Sequence, residues 1–499
     1  MLRLRKRALQ MPEPRSARAR HLQAQAPMIA IRADLLDFTA TPAWGSPTLD
    51  GVRFRADHWL LVGDDGRICA VQAHAPGPDF ERHDHRGRLL MPGFIDTHVH
   101  CPQLDVIGSW GAGLLDWLET YTFPAEQRYA DAAVAHAGAA LFLDALLAHG
   151  TTAAVVFPTV HRQATDALFE AATARGMRIV TGKVLMDRNA PAGLRDDVQG
   201  ARADCEALIQ RWHGQGRNSF AVTVRFAVTS SPEQLAMAGD LGRQHAGLYM
   251  QTHVAENEAE VRWVAQLHPQ ARSYLDVYHR AGLLHERAVL AHGIWLDAHD
   301  RALLRDTGAQ IAHSPSSNLF LGSGLFDWQA AIDTGHHVSL ASDVGGGTSL
   351  NMLRTMAEAY KVQALRGTRL NAWVALHAAT RGAALGLGLG HEIGSLDPGL
   401  LADVVVWDWA VGPVALHRDR VARGMLPGAG PGAGPGAGPG AGPGAGTSAG
   451  PGTSPSAEPG AGAQPLHARV FAWMTLGDER NVVASHVAGV LRHSRAPPG

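Results

Sequence analysis

The stretch FIDTHVH, residues 94–100, follows Pro92-Gly93 and decides how the rest of the chain is read. Its β-branched and aromatic residues behind a Pro-Gly turn mark a short strand. Alternate side chains on a strand share a face, so His98 and His100 point the same way from its C-terminal end. Two imidazoles on one face can share a metal ion, but an H-x-H triplet alone is weak evidence. The chain has 27 histidines, and His83-Asp84-His85 is another such triplet, in what reads as a turn.

Moving outward, β-rich runs recur at TTAAVVF (151–157), RIVTGKVLMD (178–187), FAVTVRFAV (220–228), LYMQTHVAE (248–256), AVLAHGIWL (288–296), AQIAHSPSSN (309–318) and HHVSLASDVGG (336–346). Ala- and Leu-rich stretches such as AAVAHAGAALFLDALLAHG lie between them and suit helices packed by one face. Successive strand–helix units over 92–392 predict an α/β fold, a (β/α)8 TIM-like barrel; an open doubly wound sheet is the competing arrangement. The barrel is preferred because polar, metal-competent residues end five or six of the runs. In a barrel those ends converge on one mouth.

Outside 92–392 the pattern changes. Residues 28–91 hold short strand candidates, IAIRADLLDF and WLLVGDDGRICAVQA, and 393–426, with IGSLDPGLLADVVVWDW, look similar. With 466–499 supplying the last strands, both chain ends are expected to build one small β-sandwich domain beside the barrel. The Pro/Gly/Ala-rich repeat over 427–465 cannot bury a core and is expected to be a flexible insertion. In residues 1–27, Arg3, Arg5, Lys6, Arg7, Arg15, Arg18 and Arg20 face only Glu13, which reads as a disordered basic tail. An organelle-targeting peptide and a true start at Met28 are the alternatives.

Lys plus Arg is 44 against 46 for Asp plus Glu, so charge gives no reason to expect nucleic acid or a membrane surface as partner. No apolar run approaches the roughly 18 residues of a spanning helix. Cys69, Cys101 and Cys205 are scattered, which excludes a disulfide framework and points to a reducing, cytoplasmic setting.

More ligand types follow at the later strand ends: His253 with Glu256 in QTHVAE, His292 in LAHG, and Asp343 in LASDVGG. Any one of them alone is more often a helix cap or a hydrogen-bonded structural residue. Together they supply nitrogen and oxygen ligands for a divalent ion with a position open for water. Such an ion brings the pKa of bound water toward ~7, and a nearby carboxylate can then carry protons. The chemistry indicated is hydrolysis at an electron-poor carbon.

In this order, PGFIDTHVH, THVAE, AHG and SD resemble the amidohydrolase superfamily. LLDWLETYTFPAE (114–126), HCPQ (100–103) and VRFAVTSSP (224–232) are similar to its guanine deaminases in particular. The resemblance covers residues 28–425 and resumes in VFAWMTLGDERNVVASHVAGV. It implies that His98, His100, His253 and Asp343 hold one zinc ion per subunit, a set that suits iron(II) as well. It also implies that Glu256 shuttles protons, that Asp343 takes a proton from the attacking water, and that His292 holds that water or the developing oxygen. Arg225, Phe226 and Gln103, beside His253 and Glu256, would contact the purine. Arg225 can donate to the guanine carbonyl, Gln103 can donate and accept, and Phe226 offers a stacking face. A salt-bridged Arg, a capping Gln and a core Phe are what these three would be without the family context.

The implied enzyme is a homodimeric hydrolase of C–N bonds in cyclic amidines, turning guanine into xanthine and ammonia. Its alternatives are a sister enzyme acting on another aminopurine, a pterin or a triazine, and a non-catalytic barrel scaffold. Two-metal members of the superfamily carry a carboxylated Lys ending the fourth strand. Here that strand carries Arg225, and Lys183 lies on the third, so one metal is expected. The cytidine-deaminase scaffold needs a C-x-x-C that this chain lacks.

Overall fold

The computed structural model describes residues 28–111, 113–424 and 463–495. The basic tail 1–27 and the Pro/Gly/Ala-rich stretch as far as residue 462 lie outside the described residues. Four strands open the described chain: β1 (Ile29–Phe38), β2 (Val52–Val62), β3 (Ile68–Gln72) and β4 (Glu81–Pro92). His83 and His85 therefore lie in a strand rather than the expected turn.

The barrel follows. Its strands are β5 (Phe94–His100), β6 (Thr151–Phe157), β7 (Arg178–Thr181) with the two-residue β8 (Val184–Leu185), β9 (Asn218–Val224), β10 (Tyr249–Val254), β11 (Ala288–His292), β12 (Gln310–His313) and β13 (Val338–Leu340). They are parallel and run β5-β6-β7-β9-β10-β11-β12-β13, in chain order, with β8 on β9. Every residue of β5, β6 and β9 is buried, as expected of parallel strands with helices outside and side chains filling the interior. Closure comes from the loop after β13. There the Asp343 N–H donates to the His98 carbonyl and the His100 N–H to the Val344 carbonyl, both at 2.9 Å.

Several strands are shorter than the sequence runs. The third breaks at Gly182, where an added Cβ would lie 1.9 Å from the Ala221 carbonyl oxygen. The fourth ends at Val224, leaving Arg225 and Phe226 just beyond it. After β12, Pro315 occupies the first turn of a helix, Pro315–Phe320, where its missing N–H costs nothing. Asp343 stands three residues past the end of β13 rather than on the strand.

The last strands, β14 (Val404–Trp407), β15 (Val482–Val487) and β16 (Val490–Ser494), join β1–β4 in one seven-stranded sheet, β16-β15-β14-β4-β1-β2-β3. Both chain ends thus share a sheet through the antiparallel β14–β4 pairing. The region expected to hold only strands from 466 onward begins instead with a helix, Ala463–Leu476, and Pro413–Ala422 is helical too. Val470, Trp473 and Met474 explain the first, because spacings of three and four put them on one buried stripe. Among the described residues no single helix is long and apolar enough to cross a membrane.

Candidate active site

β5 delivers His98 and His100 to the barrel mouth on one face, and His253 arrives near the end of β10. Their Nε2 atoms converge: His98 to His100 is 3.1 Å, His100 to His253 is 3.2 Å, and Asp343 Oδ1 stands 3.2 Å from His98 and 3.3 Å from His100. Four donors bonded at about 2.0 Å to one tetrahedral ion lie roughly 3.3 Å apart, so these separations fit a single shared cation. One atom each from His98, His253, His292 and Asp343 also falls within 4.8 Å of the others. His292 nevertheless stands farther out, with Nε2 3.8 Å from Asp343 Oδ2 and 3.4 Å from Glu256 Oε2. His98, His100, His253 and Asp343 are the tighter set.

The donor chemistry agrees. His253 Nδ1 lies 2.7 Å from the Arg225 carbonyl, which can only accept, so Nδ1 carries the hydrogen and the Nε2 lone pair faces the centre. Burial, reinforced by the neighbouring imidazoles, holds His253 well below the usual histidine range. Burial also pushes His100 down to about 4 and His292 to about 3. Neutral imidazole is the form that binds metal. Burial alone would raise Asp343, but His98, His100 and His292 around it hold it well below the usual carboxylate range. Lys183 is tied to Asp196 at 2.5 Å.

Glu256 sits two residues beyond β10, 3% exposed. Its backbone N–H donates to Glu260 Oε2 at 3.0 Å, within the Asn257–Glu260 capping box that starts the helix Glu258–Leu267. Burial, then the charges of Asp343 and Glu260, raise it well above the ordinary glutamate value, and a hydrogen bond from Ser323 Oγ at 2.8 Å opposes them. A carboxyl with so perturbed an affinity for protons, facing a cluster of metal-competent groups, suits proton transfer. Ala255, His292 and Asp343 all have left-handed backbone, at φ 48°, 73° and 50°. Strain of that kind survives where the surroundings over-determine it, as at a functional centre.

A cavity at this cluster is also lined by Gln103 and Arg225. Leu114, Trp117, Leu118, Leu321 and Phe226 form its apolar sides. Arg225 Nη1 donates to both oxygens of Glu126, at 2.8 and 2.6 Å, and its guanidinium lies 5.4 Å from the Phe123 ring centre. The Gln103 amide is committed on both sides: Nε2 donates to Glu126 Oε1 at 3.3 Å, and Oε1 accepts the Gly345 N–H at 3.2 Å. One lone pair of the oxygen expected to be free to accept is therefore already engaged. All nine candidate residues come together here. Glu126, Ser323 and the apolar wall are additions; the signal for Glu126 and the wall was the stretch LLDWLETYTFPAE.

Residues 89–426 match the amidohydrolase family. The chain belongs to that family. This amidohydrolase is 44% identical to the guanine deaminase of Escherichia coli (strain K12) over 471 residues, 93% of this chain and 98% of that protein. Among solved structures it resembles E. coli guanine deaminase, with a TM-score of 0.82, 38% identity and coverage of 94% of this chain and 99% of that one. The guanine deaminase of Bradyrhizobium japonicum gives a TM-score of 0.83 at 31% identity, covering 94% and 100%. An amidohydrolase is a metal-dependent hydrolase, and the His/Asp cluster at the mouth suits that chemistry.

Proposed function

We infer that this amidohydrolase is a guanine deaminase, converting guanine and water into xanthine and ammonia. One observation carries the reading: a single cavity is lined both by metal-competent imidazoles, Asp343 and Glu256 and by the hydrogen-bond donors Arg225 and Gln103. A planar heterocycle with a carbonyl on one side and an amino-bearing carbon on the other answers both sets of groups.

In this proposal His98, His100, His253 and Asp343 hold one zinc ion per subunit. When bound, such an ion supplies a water that ionises near neutral pH. Iron(II) meets the same donor set. Arg225 and Gln103 donate to the guanine carbonyl, and Phe226 packs against the ring. The amino-bearing carbon is thereby turned toward Asp343 and Glu256, which removes the entropic cost of alignment before the reaction. Glu256 takes the first proton of the attacking water and gives it to the adjacent ring nitrogen. Asp343 accepts the second proton and returns it to the amino group, which leaves as ammonia while the carbon becomes a carbonyl. His292, within 3.8 Å of both carboxylates, orients the water and the developing oxygen. A cytoplasmic homodimer completes the proposal: the cysteines are unpaired, which suits a reducing compartment, and the dimer rests on the family resemblance.

The test is ultraviolet spectroscopy of purified, zinc-loaded protein, following loss of guanine and formation of xanthine. Turnover that falls about 10³-fold in Glu256→Gln, with metal retained, supports both substrate and proton shuttle. No turnover of guanine with one metal per chain would sink the guanine assignment and leave the amidohydrolase site standing.

A further inference from the structure

Glu126 is fully buried, on the short helix Phe123–Gln127 and one turn beyond Phe123. It makes no hydrogen bond to the metal-competent cluster. Its hydrogen-bond partners are Arg225 and Gln103, both of which line the cavity. A buried carboxylate can only accept hydrogen bonds, and the Gly345 N–H can only donate. Held between them, the Gln103 amide has one possible orientation, with Oε1 on Gly345 and Nε2 on Glu126. With one Oε1 lone pair on Gly345 and one Nε2 hydrogen on Glu126, Gln103 can present its second amide hydrogen to the cavity. Arg225, with Nη1 turned onto Glu126, likewise offers only N–H groups.

We propose that Glu126 is a positioning residue that turns the N–H donors of Arg225 and Gln103 toward the substrate and so selects purines with a carbonyl at position 6. This rests on the guanine deaminase reading. An amino group at that position would meet donors with a donor. A bare C–H would leave Arg225 and Gln103 desolvated and unanswered, which is where a polar site discriminates most strongly. The same carboxylate fixes the rotamers of both groups, so the selection and the alignment of the reacting carbon have one origin. The narrow motif LLDWLETYTFPAE gains a physical sense from this. Leu114, Trp117 and Leu118 wall the cavity, Phe123 backs the Arg225 guanidinium, and Glu126 aims it.

The alternative is that Glu126 only neutralises a buried guanidinium and holds the fold. The two roles separate on a pair of substrates with the same reacting amino group: guanine, and 2-aminopurine, which lacks the carbonyl. Steady-state kcat and KM are measured for both on full-length, metal-loaded protein, with metal content and melting temperature recorded. In Glu126→Gln the kcat/KM for guanine is expected to fall about 10²-fold, while that for 2-aminopurine stays within about threefold, so discrimination collapses. Equal losses on both substrates, or an unchanged ratio, would overturn the proposal. Should Glu126→Gln fail to fold, Glu126→Asp keeps the charge and withdraws it by one methylene. Its ratio is expected to fall at least about tenfold, and an unchanged ratio counts against the proposal in the same way. Parent protein that does not deaminate guanine overturns the functional reading and this inference with it. Parent that does, with unaltered ratios in the variants, overturns this inference alone.

Discussion

Ser323 shows how one hydroxyl can tune the reaction. Its Oγ donates to Glu256 Oε1 at 2.8 Å, and a hydrogen bond to the charged form of a carboxyl favours that form. Burial and the neighbouring carboxylates push the other way, raising Glu256 well above its ordinary value. In the proposed cycle Glu256 first takes a proton, so the ionised form would be the active one. Removing the hydroxyl raises the pKa further, and a smaller fraction of the enzyme is then competent at a given acidic pH. Ser323→Ala is therefore expected to move the acidic limb of kcat/KM upward by about one pH unit, the shift set by a hydrogen bond of ~1–1.5 kcal/mol. The rate above that limb should change little. A pH–rate profile decides, and an unmoved acidic limb would remove Ser323 from the account.

At the scale of elements, the site depends on how β5 is joined to the loop that closes the barrel. Asp96 is fully buried in β5 and accepts the Ser342 N–H at 3.0 Å, the Ser342 hydroxyl, and the His98 N–H at 3.3 Å. One carboxyl thus fixes both the strand that carries His98 and His100 and the loop that carries Asp343. Burial raises Asp96 to about 6 even against these hydrogen bonds. Asp96→Ala leaves the Ser342 N–H buried without its acceptor, with an expected loss of about 3 kcal/mol in unfolding free energy. Misplacement of Asp343 is expected to weaken metal binding about 10- to 100-fold. Chelator competition reads the second effect apart from the first. A variant that is destabilised but binds metal as tightly as the parent would show that Asp96 serves the fold alone.

What was legible in the sequence also differed from element to element. FIDTHVH and TTAAVVF are bounded on both sides, and their strands match the runs to the residue. The convergence of His98, His100, His253 and Asp343 was legible because consecutive parallel strands of a barrel must aim their ends at one mouth. The place of Asp343 three residues beyond β13 was not. It depends on hydrogen bonds to His98 and His100 across the closing seam, which no local pattern encodes. The helix Ala463–Leu476 was missed because its start abuts a low-complexity repeat, although Val470, Trp473 and Met474 carry a helical stripe. Glu126 was passed over because a glutamate in a short helix looks the same whether solvent or an arginine faces it.

Across the whole molecule, a set of neutral, buried histidines makes the fold sensitive to acid. Burial lowers His313 and His486 to about 3, and His336 and His377 to about 4. None of the four belongs to the proposed metal set. Each returns to about 6.5 when the chain unfolds. The folded pKa is the lower one, so between the two values the unfolded chain binds more protons, and stability rises with pH through that window. Above about 6.5 the contribution is fully present; it is lost as pH falls toward 4. Each such histidine steepens the fall by up to about 1.4 kcal/mol per pH unit. His486 isolates the effect. It lies in β15, its Nδ1 is buried without a partner, and the groups facing it are His83 and His85, so an apolar side chain there forfeits no hydrogen bond at Nδ1. His486→Leu is expected to match the parent near pH 7 and to lose less stability between pH 6 and 4, with one fewer proton taken up on unfolding. Urea-unfolding free energies across that range measure the slope. Equal slopes in parent and variant would mean that His486 titrates alike in both states, and that the acid sensitivity of the fold has its source in other groups.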